Sequence, residues 1–192
     1  METMLGLMIG VGLSAACGFR VFVPLLGASI AAHTGFLQLS PDLAWLASWP
    51  AMMAFLCATL LEVGAYYVPW LDNLMDSIAS PLAVAAGAIL TASMIDEMSP
   101  LLRWSLALIA GGGSAGLVQL ATVGLRAGSS SATGGFGNFF LSTIELFGAA
   151  GLTVITLLLP VLGMLLALLL LALGWFTVKG ALGWAKRRAS PV

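Results

Sequence analysis

The chain has 192 residues, of which 60% are hydrophobic and only 8% are charged, with a mean hydropathy of +1.08. Soluble domains are about a quarter charged, so this composition excludes an ordinary soluble protein and indicates an integral membrane protein. The formal net charge of −1 argues against a nucleic-acid partner, because the chain offers no basic face to neutralise phosphates.

Apolar segments recur along the chain at lengths that suit a helical membrane crossing, which needs about 20 residues. They cover residues 5–32, 43–67, 81–95, 101–125, 139–159 and 160–178. We therefore predict an all-α membrane protein with about six transmembrane helices. They form a single domain over residues 1–192, and residues 181–192 are a basic tail.

The first segment contains Arg20 and, four residues later, Pro24. Proline cannot donate a hydrogen bond to the carbonyl one turn earlier, so we predict a kink or break in the helix near Arg20.

A carboxylate interrupts the second segment. Glu62 in the hydrocarbon layer would cost at least ~2.5 kcal/mol, so it is expected to face a protein interior or a water-filled path. Alternatively, Glu62 reaches the headgroup region, since Tyr66, Tyr67 and Trp70 follow it like an interfacial aromatic belt.

The third segment is preceded by a polar helical face that contains Asp72, Asn73 and Asp76. An amphipathic turn at the membrane surface explains this pattern, and a vestibule that attracts cations explains it equally well.

The fourth segment carries three consecutive glycines, Gly111, Gly112 and Gly113, at mid-span. They indicate either a helix interruption near a ligand or close packing of a neighbouring helix. Arg126 stands at the end of this segment and, with Arg20, supplies the basic residues in or at the end of a span that are able to neutralise an intramembrane glutamate.

In the fifth segment, Asn138, Ser142 and Glu145 lie at positions i, i+4 and i+7 and form one polar stripe. We expect this stripe to face the protein interior. The groups either satisfy one another and a neighbouring helix, or they line a path for a solute or ion.

A shift of one hundred residues aligns similar sequences in the two halves of the chain. The identical residues in the first copy are Ile9, Gly12, Ser14, Ala15, Val23 and Leu25. Three helices per half would place the second copy upside down, so we predict inverted repeats over residues 1–98 and 99–180, an architecture typical of transporters.

Basic residues crowd the C-terminal end at Lys179, Lys186, Arg187 and Arg188. The positive-inside rule places this end in the cytoplasm, and an even number of helices would place the N-terminus there as well.

Enzymatic interpretations have little support. His33 is the only histidine, which excludes a multi-histidine metal site, and no Gly-Lys-Ser/Thr follows the glycines to bind phosphate. We predict no catalytic residue, no metal and no cofactor. A lipid-modifying enzyme would have only Asp72 and Asp76 as candidate acid and base.

Three stretches of the chain resemble the signature segments of a bacterial integral-membrane family known as domain of unknown function 4126. They are residues 18–24, residues 66–76 and residues 133–138 together with Ser142 and Glu145. The resemblance covers nearly the whole chain and implies a bacterial inner-membrane protein. The family favours proline after Asn138, where this chain has Phe139, and the resemblance implies no activity.

The resemblance also places Arg20, Asp72, Asp76, Asn138 and Glu145 within the segments that define the family. The leading functional hypothesis is a small transporter or channel for a small solute or ion. The alternative is a scaffold or lipid-binding protein whose polar residues only hold the helices together. The expected partners are membrane lipids, the solute or ion, and a second copy of the chain in a homodimer.

Overall fold

The computed structural model describes residues 2–68 and 71–189, without the side chains of residues 2, 72, 73 and 181–189. Within these residues the fold is all-α, which confirms the predicted fold class. The helices are α1 (Glu2–Cys17), α2 (Phe22–His33), α3 (Trp49–Tyr66), α4 (Leu71–Ser93), α5 (Pro100–Leu106), α6 (Gly113–Thr133), α7 (Phe136–Leu158) and α8 (Pro160–Ala189). A 3-10 helix at Pro41–Ala47 precedes α3, and a π-helical segment at Ala107–Gly112 joins α5 to α6.

Five of the described helical stretches are long and apolar enough to cross a membrane. They are Trp49–Tyr66, Leu74–Ser93, Pro100–Thr133, Phe136–Leu158 and Pro160–Gly180. Two shorter apolar helices, Thr3–Cys17 and Phe22–His33, precede them. Five long spans and two shorter apolar helices agree roughly with the prediction of about six transmembrane helices.

Helices α1 and α2 form a hairpin and not one continuous crossing. Gly12 of α1 packs against Thr156, and Gly27 of α2 packs against Thr153. Residues that are fifteen positions apart in the chain therefore lie at nearly the same level of α7. The chain must reverse its direction between them, at residues 18–21, where it leaves the helical conformation.

The tip of this hairpin lies at mid-height in the bundle. Phe19 is the nearest side chain to Gly148, close to the middle of α7. Pro24 occupies the third position of α2, just after the tip, where the missing proline N–H has no helical partner to lose. We call α1, α2 and the tip the re-entrant hairpin.

Both ends of the re-entrant hairpin lie at one end of the bundle. The Ser40 amide donates to the carbonyl of Ser93 at 2.8 Å, and Arg103 forms an ion pair with Asp42 at 2.6 Å. We call this the Arg103 end. The opposite end, where the Tyr67 hydroxyl lies 3.0 Å from the hydroxyl of Thr143, is the Tyr67 end.

The glycines of the fourth predicted segment lie in or just after the π-helical segment, so the crossing continues through them. A side chain at Gly111 would collide with the Gly87 carbonyl and with Thr91 of α4, whereas Gly113 is exposed and has no atom near its missing Cβ. Gly111 thus permits the close approach of α4, whereas Gly113 takes no part in this contact.

We predict that Gly111→Ala lowers the free energy of unfolding by about 1–3 kcal/mol, because overpacking forces backbone shifts. The matched control, Gly113→Ala, should be neutral or stabilising by up to about 1 kcal/mol, since alanine restricts the unfolded chain. Thermal unfolding of both variants in detergent measures the difference. Equal midpoints would contradict the assigned contact.

Candidate functional site

Six side chains from five segments meet at the tip of the re-entrant hairpin. Each is at most 8% exposed. We call them the charged cluster: Arg20 from the tip, Glu62 and Tyr66 from α3, Asp76 from α4, Arg126 from α6 and Glu145 from α7.

Glu145 is the carboxylate that joins the two arginines. Its Oε2 lies 3.1 Å from Nη1 of Arg20 and in direct contact with Nη2 of Arg126. Its Oε1 accepts a hydrogen bond from Nε of Arg126 at 3.0 Å. This charge-assisted geometry compensates for the burial of all three groups.

Arg126 also contacts a second carboxylate. Its Nη1 lies 3.4 Å from Oδ1 of Asp76. This separation is longer than any of the three contacts that the arginines make with the Glu145 oxygens. One guanidinium thus connects α4, α6 and α7, with Glu145 as its closer partner.

The Tyr66 ring lies between the two guanidinium groups. Their central carbons are 3.9 Å (Arg20) and 4.0 Å (Arg126) from the ring centroid. Both distances fall within the range of cation–π attraction, which strengthens when water is excluded. The Tyr66 hydroxyl donates to Oδ1 of Asp76 at 3.1 Å, so this side chain fixes both arginines and a carboxylate.

Glu62 binds the backbone at the tip of the hairpin. Its Oε1 accepts the Val21 N–H at 2.7 Å, and its Oε2 accepts the Phe22 N–H at 3.0 Å. These amides belong to the first turn of α2, where a negative charge is favoured by the helix dipole. Glu62 is 2% exposed and faces the bundle interior, so it does not reach the headgroup region.

The polar stripe of α7 faces inward. Ser142 accepts a hydrogen bond from Nη2 of Arg20 through its carbonyl at 3.0 Å, and its hydroxyl donates to the Tyr66 carbonyl at 3.3 Å. Asn138 lies one turn nearer the Tyr67 end and donates to the Ser130 hydroxyl at 2.9 Å. Ser142 thus borders the charged cluster, and Asn138 lies outside it.

Two cavities border the charged cluster, and the larger one lies at the Tyr67 end. The larger, of about 370 Å³, is lined by Tyr66, Tyr67, Gly134, Gly135, Phe136, Asn138, Phe139 and Phe140. The smaller, of about 230 Å³, is lined by Asp76, Ser77, Ser80, Val123 and Ala127. The hydrogen-bonded pair Tyr66–Asp76 therefore lies between the two cavities.

The remaining residues predicted from the sequence lie elsewhere. The side chains of Asp72 and Asn73 lie outside the described part of the structure. Gly111 and Gly112 pack against α4, and Gly113 faces outward. Among the described residues, no group of three or more His, Cys, Asp or Glu side chains has the geometry of a metal site.

Sequence reasoning missed the role of Tyr66. It assigned this residue to an interfacial aromatic belt, but Tyr66 is 3% exposed and lies inside the charged cluster. A signal was present, because Tyr66 follows Glu62 by four residues and so shares its helix face.

The fold and the site define a multi-pass helical membrane protein with a buried ion-pair cluster at a helix break. The family described as "Domain of unknown function (DUF4126)" matches residues 7–179, and the chain belongs to this family. Comparisons with curated proteins and with solved structures gave no match.

Proposed function

We propose that this protein is a small transporter or channel that moves a small solute or ion through the charged cluster. The supporting observation is that five charged side chains are buried together at mid-height in a membrane protein. Charges in this position are costly and typically mark a substrate or ion path. Helices that break at the membrane midplane are a common feature of transporter binding sites.

In the described conformation, the larger cavity reaches Tyr66 of the charged cluster from the Tyr67 end. On the opposite side of the cluster the re-entrant hairpin packs tightly, with Leu13, Leu25 and Ala28 in a buried apolar core. Transport to the Arg103 end would therefore need the hairpin to move against its neighbours, which contact it at Gly12 and Gly27.

We further propose that the Tyr67 end faces the cytoplasm of a bacterial inner membrane. α8 begins at the Arg103 end, where Gly163 packs against Thr156, and leads to the basic C-terminal tail. The positive-inside rule places this tail in the cytoplasm. With a re-entrant hairpin and five crossings, the N-terminus lies on the opposite side, in place of the cytoplasmic position expected from an even number of crossings.

The proposal predicts that Glu145→Gln lowers transport tenfold or more without unfolding the protein. The substitution leaves two arginines opposite Glu62 and Asp76, so the charged cluster stays balanced. It removes charge-assisted hydrogen bonds worth about 1.5–3 kcal/mol each, enough for a tenfold or greater loss of flux.

Flux is measured in proteoliposomes with a panel of protons, sodium, potassium, chloride and small carboxylates. The matched control is Glu97→Gln, the same substitution at an exposed position of the Arg103 end. Equal flux in wild type and Glu145→Gln for every solute that moves would overturn the proposed path.

The alternative is a scaffold or lipid-binding protein in which the charged cluster only joins helices. It is favoured by the observation that Glu62 and Glu145 already bind donors within the protein. A scaffold would also need a face for assembly, and the small residues Gly6, Gly10 and Gly18 recur at helical spacing on one face of the first apolar segment. This face packs internally, against Met94 just after α4, against Thr91 of α4 and against α6, so it is not available for assembly and the alternative is weakened. This alternative predicts that Glu145→Gln changes only thermal stability and that the wild type moves no solute. The homodimer stays a prediction.

A further inference from the structure

We infer that Tyr66 is the inner gate of the transport path, the side chain that separates the larger cavity from the charged cluster. This inference rests on the proposed transport function and deepens it, because it names the residue that a solute must displace. It depends on what lies on each side of Tyr66, on the contacts that hold its ring and on its position at the end of α3.

Tyr66 belongs both to the larger cavity and to the charged cluster. It is one of the eight residues that line the cavity of about 370 Å³, and none of the other seven belongs to the cluster. Tyr66 is nevertheless only 3% exposed, because its ring lies between the guanidinium groups of Arg20 and Arg126. A solute that leaves this cavity for the arginines therefore meets Tyr66 first.

The larger cavity has the properties of a place that holds a solute outside the gate. Its volume of about 370 Å³ falls within the range of small-molecule sites, ~300–1,000 Å³. Gly134 and Gly135 line it in the left-handed conformation, and no atom lies within 4 Å of the Cβ position of either. Four further aromatic residues line it: Tyr67, Phe136, Phe139 and Phe140. No charged side chain is among these described lining residues, so the charges lie behind the gate.

Three contacts hold the Tyr66 side chain in the closed position. Its hydroxyl donates to Oδ1 of Asp76 at 3.1 Å, and the two guanidinium carbons lie 3.9 and 4.0 Å from the ring centroid. Such contacts to charged groups strengthen when water is excluded. Each of these three charged groups also has a partner of opposite charge within the cluster. The ring can therefore leave without leaving a buried charge unpaired, which would be costly.

The position of Tyr66 in the chain suits a side chain that moves. Tyr66 is the last residue of α3, and its carbonyl oxygen accepts the Ser142 hydroxyl of α7 at a long 3.3 Å. The end of a helix opens at a lower cost than its interior. The larger cavity, which Tyr66 already lines, provides the space into which the ring can rotate.

Thiol labelling behind Tyr66 tests this gate. Ser142→Cys places a thiol on the cluster side, at a position that is fully buried and outside the cavity lining. Cys17→Ala and Cys57→Ser remove the two natural thiols from this background. The small neutral reagent methyl methanethiosulfonate is added to the purified protein in detergent, and mass spectrometry follows the modified fraction.

The labelling rate should depend on the residue at position 66. We expect slow labelling with Tyr66 and a rate at least about tenfold higher in Tyr66→Ala, which joins the cavity to the cluster. Tyr66→Phe keeps the ring but loses the bond to Asp76, so its rate should rise at least about threefold. The matched control is Tyr67→Ala, which removes a ring from the same cavity but outside the cluster, and it should leave the rate unchanged.

A second reporter distinguishes a gate from general loosening of the bundle. Ala92→Cys, in the same thiol-free background, lies in the buried apolar core of the Arg103 end. Its labelling in Tyr66→Ala should stay as slow as it is with Tyr66. If Tyr66→Ala is not recovered in folded form, Tyr66→Phe decides by the same comparison.

Three outcomes would overturn the inference. They are a rate at position 142 that does not depend on Tyr66, a rate that rises equally at position 92, and a rate that rises equally in Tyr67→Ala. Because labelling needs no transport, a Tyr66-dependent rate without flux would contradict only the proposed function. Flux with labelling that does not depend on Tyr66 would contradict only the gate.

Discussion

Replacing Arg126 by methionine is expected to lower the free energy of unfolding by about 3–5 kcal/mol, as breaking a buried ion pair from one side does. Arg126 is 2% exposed and contacts Glu145, Asp76 and the Tyr66 ring. Its loss leaves Arg20 alone opposite three buried carboxylates. We expect a large fall in the thermal midpoint and in the amount of folded protein recovered in detergent.

A double variant separates stability from function. Arg126→Met with Glu145→Gln removes one charge of each sign, so the cluster returns to the wild-type balance. We expect recovery of most of the lost stability, because a buried pair replaced as a whole is close to neutral. Transport should not recover, because both residues are proposed to line the path. Full recovery of flux together with stability would instead mean that neither residue lines the path.

Arg103→Met provides the matched control for Arg126→Met. Arg103 is also buried, but the carboxylate that it leaves behind, Asp42, has a side chain that is 71% exposed. Water can solvate that carboxylate, so the pair should contribute only about 0–1 kcal/mol. If Arg103→Met and Arg126→Met were equally destabilising, burial of the charged cluster would not be the cause of the stability lost in Arg126→Met.

The periodicity of the sequence was sufficient to predict much of the inward face of α7. Asn138, Ser142 and Glu145 recur at helical spacing in an apolar segment, and such a stripe is costly against lipid. Because few basic residues occur in the spans, the sequence also identified Arg20 and Arg126 as the possible counter-charges of an intramembrane glutamate. It did not predict that one carboxylate, Glu145, would bind both arginines, since that depends on how α6, α7 and the hairpin tip meet.

The reversal of the chain at residues 18–21 was not predictable from hydropathy. Residues 5–32 form one apolar segment long enough to cross, and Arg20 with Pro24 indicates an interruption without indicating a direction. The direction follows from tertiary contacts, above all from Glu62, which binds the first amides of α2 from a different helix.

The inverted repeat remains a proposal. Inverted repeats require that matched helices run in opposite directions. This holds for α3 and α7, the helices that carry Glu62 and Glu145. The aligned segments at 9–17 and 109–117 lie in helices that both begin at the Arg103 end, as the contacts Gly6–Met94 and Arg103–Asp42 indicate. Identity between these two segments therefore does not by itself establish an inverted pair.

Removal of the Glu62 carboxylate should open the tip of the re-entrant hairpin. Glu62→Ala leaves the N–H groups of Val21 and Phe22 without their acceptors, which should cost roughly 2–4 kcal/mol. Glu62→Gln keeps one carbonyl oxygen and should cost about half as much. Both substitutions leave the cluster with equal numbers of arginines and carboxylates, so the loss reports the helix cap and not a charge imbalance.

Cys17 provides a local measurement of this opening. It is fully buried at the end of α1, and its Sγ lies 3.7 Å from the Val21 carbonyl oxygen across the tip. The exposed thiol is first removed by Cys57→Ser. In this background, maleimide labelling of Cys17 should be slow when Glu62 is present and at least about tenfold faster in Glu62→Ala. A change of 1.4 kcal/mol in an opening equilibrium produces this ratio.

Glu97→Ala should leave the labelling rate unchanged, because Glu97 is exposed and contacts Thr3 at the other end of α1. A rate that rises equally in both variants would mean general loosening of the bundle. A rate that does not rise in Glu62→Ala would mean that packing, and not the carboxylate, holds the hairpin closed.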